Sequence, residues 1–256
     1  MRDNSFTILG SGSGIPQPDR ATSGYLLTVN GRHSLIDCGG GVTSSFLRRG
    51  LNPAEVDRVF VSHTHSDHVA ELSLFLQLVY HSGRTEPFHF YLPSEFVEPF
   101  KTWLSAVYLI QEKFPFEFII EGYDDGFRYD GDFTLTAHEN SHLKHNADLI
   151  KRLGLPNKCQ CHSFDIAVGE KRLFYSSDIK SFDEIRDYLP GCTYVVMEAT
   201  HIDLNALVAW APTADVGRFV FTHLGTPEET AALSRTLRTA NMENFVLAID
   251  GLELLM

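Results

Sequence analysis

The stretch Ser62-His63-Thr64-His65-Ser66-Asp67-His68 carries three imidazoles and a carboxylate, directly after the apolar run Val59-Phe60-Val61. A buried-type strand that empties into such a loop constrains the fold, because these side chains need partners to converge on them from elsewhere in the chain. First-row divalent metals favour imidazole and carboxylate ligands. Four ligands in one short loop do not all reach one tetrahedral centre comfortably, so His63 and His65 suit one ion and Asp67 and His68 a second. A histidine-rich solvent loop is the bland alternative, and the preceding strand argues against it.

Further ligands stand at the ends of other predicted strands. The run Phe133 to Ala137 leads into His138, His142 and His145, Leu173 to Ser177 ends at Asp178, and Phe219 to Thr222 ends at His223. A lone histidine after a strand is an ordinary loop residue; three such endings beside the cluster point to a shared site. Strand patterns also cover Phe6 to Leu9, Gly24 to Val29, Ser34 to Asp37, Phe88 to Leu92, Phe116 to Ile120, Ser163 to Val168, Arg172 to Tyr175, Tyr194 to Met197 and Phe245 to Ile249. Helices are expected at Val42 to Arg49, closed by Gly50, and at Val69 to Tyr80, Glu95 to Leu109, Phe182 to Tyr188 and Glu228 to Thr239. Strand blocks with helices in both halves predict an α/β protein, a four-layer αββα sandwich of two mixed sheets flanked by helices. No repeat or linker divides it, and residues 1–256 read as a single domain.

Composition narrows the function. With 256 residues, 43% of them hydrophobic, the chain has enough material for a sizeable core. The formal net charge of −12 disfavours a long nucleic acid as partner, since nonspecific binding to one rests on many Lys and Arg contacts, and favours a small substrate. The opening Met1-Arg2-Asp3-Asn4-Ser5 has no long apolar run, and no stretch reaches membrane-spanning length, so a cytoplasmic protein with no membrane partner is expected. Cys38, Cys159, Cys161 and Cys192 are too few for a disulfide framework and read as reduced thiols. Trp103, Tyr108 and the phenylalanines from Phe88 to Phe118 suit the core or the face of a homodimer.

In their order along the chain, Asp37 in Leu35-Ile36-Asp37-Cys38-Gly39, the His-x-His-x-Asp-His loop, His142, Asp178 and His223 resemble the metallo-β-lactamase superfamily. The resemblance runs from about Phe6 to the C-terminus. It implies two divalent metal ions, zinc foremost with manganese or iron as alternatives. His63, His65 and His142 would hold the first and Asp67, His68 and His223 the second, with Asp178 bridging. His142 is preferred to His138 and His145 because the family's ligand sits a few residues past its strand. Asp37 would be a buried carboxylate that orients the loop.

Departures from the family select among its chemistries. True β-lactamases carry a cysteine where Asp178 stands, which weakens that reading. The opening Leu9-Gly10-Ser11-Gly12-Ser13-Gly14 with Pro16, and Glu198-Ala199-Thr200, look like ribonuclease Z and its phosphodiesterase relatives. The His-Ser-Thr segment and long arm of ribonuclease Z are absent, whereas Thr200-His201-Ile202-Asp203-Leu204-Asn205 and Asp250-Gly251-Leu252-Glu253 are similar to the cyclic phosphodiesterase of phosphonate breakdown. The expected function is therefore hydrolysis of a small or cyclic phosphodiester through a metal-bridging hydroxide. A ribonuclease Z-like RNA-processing nuclease or a thioester or lactone hydrolase is the alternative, with a scaffold without turnover or an iron oxidoreductase further off.

Two ions neutralise phosphoryl oxygens and lower the pKa of bound water to roughly 7, so the protein's remaining task is the leaving alkoxide. The catalytic candidates are Asp67, His201 and Glu198, with His201 as general acid and Glu198 or Asp203 orienting it; against this, His201 would merely cap a helix at Leu204. The basic segment His142 to His162, with Lys144, Lys151, Arg152 and Lys158, reads either as a lid that collects a small anionic substrate or as a solvated helix. Cys159-Gln160-Cys161-His162 supplies ligands for a further ion or, more simply, packing.

Overall fold

The computed structural model describes residues 4–256. Residues 1–3, part of the opening run discussed above, lie outside the described residues. In chain order the strands are β1 (Ser5–Gly10), β2 (Gly24–Val29), β3 (Arg32–Cys38), β4 (Val56–Phe60), β5 (Phe88–Pro93), β6 (Phe118–Tyr123), β7 (Arg128–Asp130), β8 (Thr134–Asn140), β9 (Cys161–Val168), β10 (Lys171–Tyr175), β11 (Cys192–Glu198), β12 (Val216–Thr222), β13 (Phe245–Leu247) and β14 (Glu253–Leu255). They form two seven-stranded sheets, β14-β1-β2-β3-β4-β5-β6 and β13-β12-β11-β10-β9-β8-β7. Each is mixed: β14 through β3 pair antiparallel and β3 through β6 parallel. The second sheet repeats the plan, antiparallel from β7 to β10 and parallel from β10 to β13.

Alternation along the strands sorts side chains between layers. Phe6, Ile8, Tyr25, Ile36 and Phe60 of the first sheet share one buried cluster with Leu135, Phe164, Tyr175, Val196 and Val220 of the second, which places this core between the sheets. Their neighbours Leu9, Leu35 and Val59 face outward, onto the helices α1 (Val42–Arg48), α3 (Leu72–His81) and α4 (Val97–Ala106). On the far side Phe174, Val195, Met197 and Phe221 pack under α6 (Leu204–Trp210) and α7 (Pro227–Thr239). The αββα sandwich expected from the strand blocks is the observed fold. Among the described residues, no helix is long and apolar enough to cross a membrane.

Several elements differ from their sequence patterns for identifiable reasons. The helix expected over Val69 to Tyr80 is split into α2 (Ser66–Val69) and α3, because Glu71 leaves the pattern to accept hydrogen bonds from Gly41 N at 2.7 Å and Thr43 N at 2.8 Å. That carboxylate supplies the cap α1 lacks. The segment Phe182 to Tyr188 forms two 3₁₀ turns, not a helix, and burial of Phe182 and Ile185 three residues apart suits that winding. The helix at 95–109 is confined to α4, after which Tyr108 adopts φ 62° and is 73% exposed, whereas Trp103 packs on Phe100.

Candidate metal centre

The site lies along one rim of the sandwich, where β3, β4, β8, β10, β11 and β12 end. Asp37 is the last residue but one of β3, the His-rich loop follows β4, His142 stands two residues beyond β8, Asp178 follows β10, Glu198 ends β11 and His223 follows β12. Parallel pairing of β3 with β4 and of β10 with β11 and β12 puts these ends side by side. Three of the turns use backbone that side chains seldom adopt: Asp37 has φ 56°, Ser177 φ 51° and His223 φ 51°. Each such residue costs about 1–3 kcal/mol and persists only where its surroundings hold it, a pattern concentrated at functional sites.

The rim assembles two groups around one carboxylate. Ligand-type atoms of His63, His65, His142 and Asp178 lie within 4.8 Å of one another, as do those of Asp67, His68, Asp178 and His223. In the first group His142 Nε2 is 3.2 Å from His65 Nδ1 and 3.6 Å from Asp178 Oδ2. In the second, Asp178 Oδ1 is 3.4 Å from His68 Nε2, and His223 Nε2 is 3.4 Å from Asp178 Oδ2 and 3.1 Å from Asp67 Oδ2. His63 Nε2, His68 Nε2 and Asp178 Oδ1 are buried with no hydrogen-bond partner among the described residues. Buried polar atoms are normally satisfied, so convergent orphans of this kind fit a pair of divalent cations. A third grouping, Glu198, His201 and His223, adjoins them.

The residues behind this set fix its orientation. Asp37 Oδ2 lies 2.8 Å from His68 Nδ1 and accepts from the Tyr175 hydroxyl at 2.8 Å, while Asp37 Oδ1 accepts from Ser62 N at 2.7 Å. With Nδ1 engaged by a carboxylate, Nε2 of His68 is the atom presented to a metal. Thr200 Oγ1 lies 3.0 Å from His223 Nδ1 and plays the corresponding part there, being itself held by Glu198. Gly39 is required at its position because a Cβ would stand 1.9 Å from the Asp67 carbonyl oxygen.

Burial sets the charge states. It drives His63 well below the ordinary imidazole value and His142 down to about 4, the neutral forms that metal ligation needs. His68 is opposed by the same desolvation, yet the Asp178 and Asp37 carboxylates beside it lift its pKa well above the usual one. Burial also works against the Asp178 anion, and the neighbouring His223 and His68 overcome it, holding that carboxyl far below its ordinary range.

All seven side chains named from the sequence as metal ligands meet at this rim, and so do His201 and Glu198. Of the two residues considered for orienting His201, Glu198 is the one in place, its Oε1 3.2 Å from His201 Nδ1. Asp203 instead caps α6, accepting from Asn205 N and Ala206 N, so His201 is not the helix cap. His138 stacks on Tyr188 away from the site, and His145 turns Nδ1 back to the His142 carbonyl. The Cys159 to His162 run does not converge: Cys159 packs with Leu143, Cys161 Sγ donates to the Asp178 carbonyl at 3.4 Å, and the His162 ring lies on Tyr123. The basic segment forms α5 (Ala147–Leu153), and the cavity beside His65 is lined by its apolar residues Leu149 and Ile150, not by Lys151 or Arg152. Tyr175 was not legible as a site residue, since a tyrosine closing a strand carries no pattern of its own, and Thr200 stood out only within the Glu198-Ala199-Thr200 resemblance, not for its contact with His223.

Comparison with known proteins agrees with this geometry. The family model described as Anti-Pycsar protein Apyc1 matches residues 4–201. Among curated proteins, the ribonuclease Z of Picrophilus torridus is 26% identical, covering 76% of this chain and 73% of its own. The ribonuclease Z of Methanococcus maripaludis is 33% identical over a shorter stretch, 40% of this chain, and the alignment spans only 33% of that protein. The metallo-β-lactamase fold protein YhfI from Bacillus subtilis superposes with a TM-score of 0.79 at 20% identity over 99% of both chains. A diphosphatase from the PhnP family gives 0.70 at 17% identity, covering 99% of this chain and 98% of its own. The chain belongs to the Apyc1 anti-Pycsar family and, with it, to the hydrolases of the metallo-β-lactamase superfamily.

Proposed function

We propose that the protein is a dinuclear metal-dependent phosphodiesterase for a small or cyclic phosphodiester. The observation that carries the reading is the shared Asp178, flanked by two complete ligand groups and faced by a Glu198–His201 pair. His63, His65 and His142 would hold one ion, Asp67, His68 and His223 the other, and Asp178 would contact both. Zinc is the expected metal for this imidazole and carboxylate set, with manganese or iron also compatible. When bound, the ions supply an activated water and neutralise the phosphoryl oxygens.

The chain's own residues supply the rest. His201 lines the same cavity as His65, Asp67, His142 and Asp178. The Glu198 carboxylate, its Oε1 3.2 Å from Nδ1, raises the pKa of His201, which favours the protonated ring that can donate to a departing alkoxide. Glu198 and Thr200 both engage Nδ1, so the Nε2 proton is the one available. Asp67 stays ionised because, against the effect of its burial, His223 and His68 lower its pKa, and its anion balances charge at the second metal position.

A cavity of about 320 Å³ supports a small substrate, as does the net charge of −12. The names of the relatives, ribonuclease Z and diphosphatase, support chemistry at phosphorus over thioester or lactone hydrolysis. RNA processing is the second reading, favoured by the 26% identity to a ribonuclease Z across 73% of that protein. Parallel assays of zinc- and manganese-loaded protein on bis(p-nitrophenyl) phosphate, cyclic nucleotides, pre-tRNA and a thioester separate these. Turnover of the small phosphodiesters above a His65→Ala control is the expected result; turnover of the thioester alone defeats the proposal.

A further inference from the structure

A second cavity, of about 660 Å³, shares no lining residue with the metal centre. One loop separates the two. Its first part, Ser13, Gly14 and Ile15, lines the metal-centre cavity, and its continuation, Pro16 to Thr22, lines the other. Another wall is α1 with its C-cap, which contribute Ser44, Ser45, Arg48 and Arg49.

Three arginines, Arg20, Arg48 and Arg49, face this space in a protein whose net charge is −12. Elsewhere Arg32, Arg84 and Arg172 each pair with an aspartate. The three cavity arginines have no ion pair among the described residues, and Arg20 Nη1 is buried without a hydrogen-bond partner. The carboxylate of Asp250 on the same lining is already committed, Oδ1 to the Ser11 amide and hydroxyl and Oδ2 to Ala21 N. Asp19 is the other acid there, and it is exposed. The Arg49 guanidinium lies against Gly251, where a Cβ would stand 2.2 Å from its Nη2, and Arg48 and Arg49 are exposed to solvent. Guanidinium forks without carboxylate partners match the oxygens of a phosphate group.

The lining is also tied to the metal centre. Thr22 Oγ1 donates to the Asp67 carbonyl at 2.9 Å, and Gln17 Nε2 donates to the Gly225 carbonyl at 2.6 Å, two residues beyond His223. Two of the cavity's own residues thus hold the backbone next to two metal-ligand candidates.

We infer that this arginine-lined cavity binds a small phosphate-bearing anion, separately from the substrate, and that its occupancy adjusts the metal centre through Thr22 and Gln17. Calorimetric titration of the zinc-loaded protein with inorganic phosphate tests it. The wild type should bind two phosphates per chain, and an Arg20→Ala/Arg48→Ala variant one. Arg48→Glu alone, at an exposed position that the fold tolerates, should weaken the second event at least about tenfold. Phosphate should inhibit bis(p-nitrophenyl) phosphate hydrolysis with a mixed pattern in the wild type and a purely competitive one in the double variant. Equal stoichiometry and affinity in wild type and both variants overturns the inference. That outcome, with hydrolysis intact, leaves the phosphodiesterase reading standing, so the two fail independently.

Discussion

Asp37 holds His68 from behind: its Oδ2 lies 2.8 Å from the imidazole Nδ1, and both residues are fully buried. The carboxylate is itself fixed by Ser62 and Tyr175, so the ring is held in one orientation with Nδ1 toward Asp37. Asp37→Asn keeps the shape but replaces an acceptor that also carries charge with an amide. Loss of such a partner weakens metal binding by about 10- to 100-fold. Chelator-competition titration should show one weakened site and one near-normal site. Two unchanged sites would remove the role assigned to Asp37.

Asp178 differs from every other ligand candidate in belonging to both groups. Asp178→Ala should therefore empty or loosen both metal positions, whereas His223→Ala should affect one. Elemental analysis after dialysis reads this directly. Activity should fall by about 10³-fold or more for Asp178→Ala, the scale expected when the charge stabilisation of two ions is lost. An Asp178→Ala protein that retains both metals would sink the shared-ligand arrangement.

The role of His201 can be separated from metal binding by the leaving group. A p-nitrophenolate departs without a proton and an alkoxide does not, so His201→Gln should lower kcat by about 10²- to 10⁴-fold on an alkyl diester and little on bis(p-nitrophenyl) phosphate. The Glu198 carboxylate beside the ring raises the His201 pKa, so the acid form persists to higher pH in the wild type. Removing that charge in Glu198→Gln should move the alkaline limb of the kcat profile to lower pH. Equal losses on both substrates would assign His201 a positioning part instead.

The α5 segment yields a contrast in charge and apolarity. Leu149 and Ile150 line a neighbouring cavity that shares only His65 with the metal-centre cavity, and Lys151 and Arg152 are exposed and line neither. Reversing both cations should leave KM within about twofold, the usual size of a screened surface effect. A Leu149→Asp change should raise KM at unchanged metal content. A large rise in KM on charge reversal would restore the cationic lid.

How much of this was legible in the sequence follows from what each residue's neighbours are. The metal-ligand candidates are polar side chains at the ends of apolar strands, and a strand of period two announces its own end, so His63, Asp178 and His223 stand out from the chain alone. The sandwich was readable for the same reason. Thr200, Tyr175 and Glu71 act across sequence separations that no local pattern encodes: Tyr175 reaches Asp37 over 138 residues and Glu71 reaches Gly41 over 30. The positive φ of Asp37, Ser177 and His223 was hidden too, because the expected marker of that conformation is glycine and these positions carry larger residues. The arginine cavity was invisible because Arg20 and Arg48 come from separate segments, each an ordinary surface residue when read alone.

Arg84 is a stability determinant outside the metal centre. Its side chain is only 2% exposed, and it donates to the carbonyls of Ala54, Glu86 and Pro87 and, at 2.9 Å, to Asp57 Oδ1. Arg84→Met keeps the stem and removes those donors while Arg32 still reaches Asp57, so it should cost about 1.5–3 kcal/mol, the scale for hydrogen bonds to a charged group. Part of that cost depends on pH. Burial works against the Asp57 anion, yet Arg32 and Arg84 together hold its pKa below the usual carboxylate value. A group depressed in the folded state stabilises above its unfolded pKa, about 3.9, and loses that contribution as pH falls through the folded value. The wild-type advantage over Arg84→Met in urea unfolding should therefore be full at pH 7 and shrink below about pH 4, without vanishing, because the backbone carbonyls do not titrate. A gap of equal size at pH 7 and pH 3 would show that Asp57 contributes nothing through its charge.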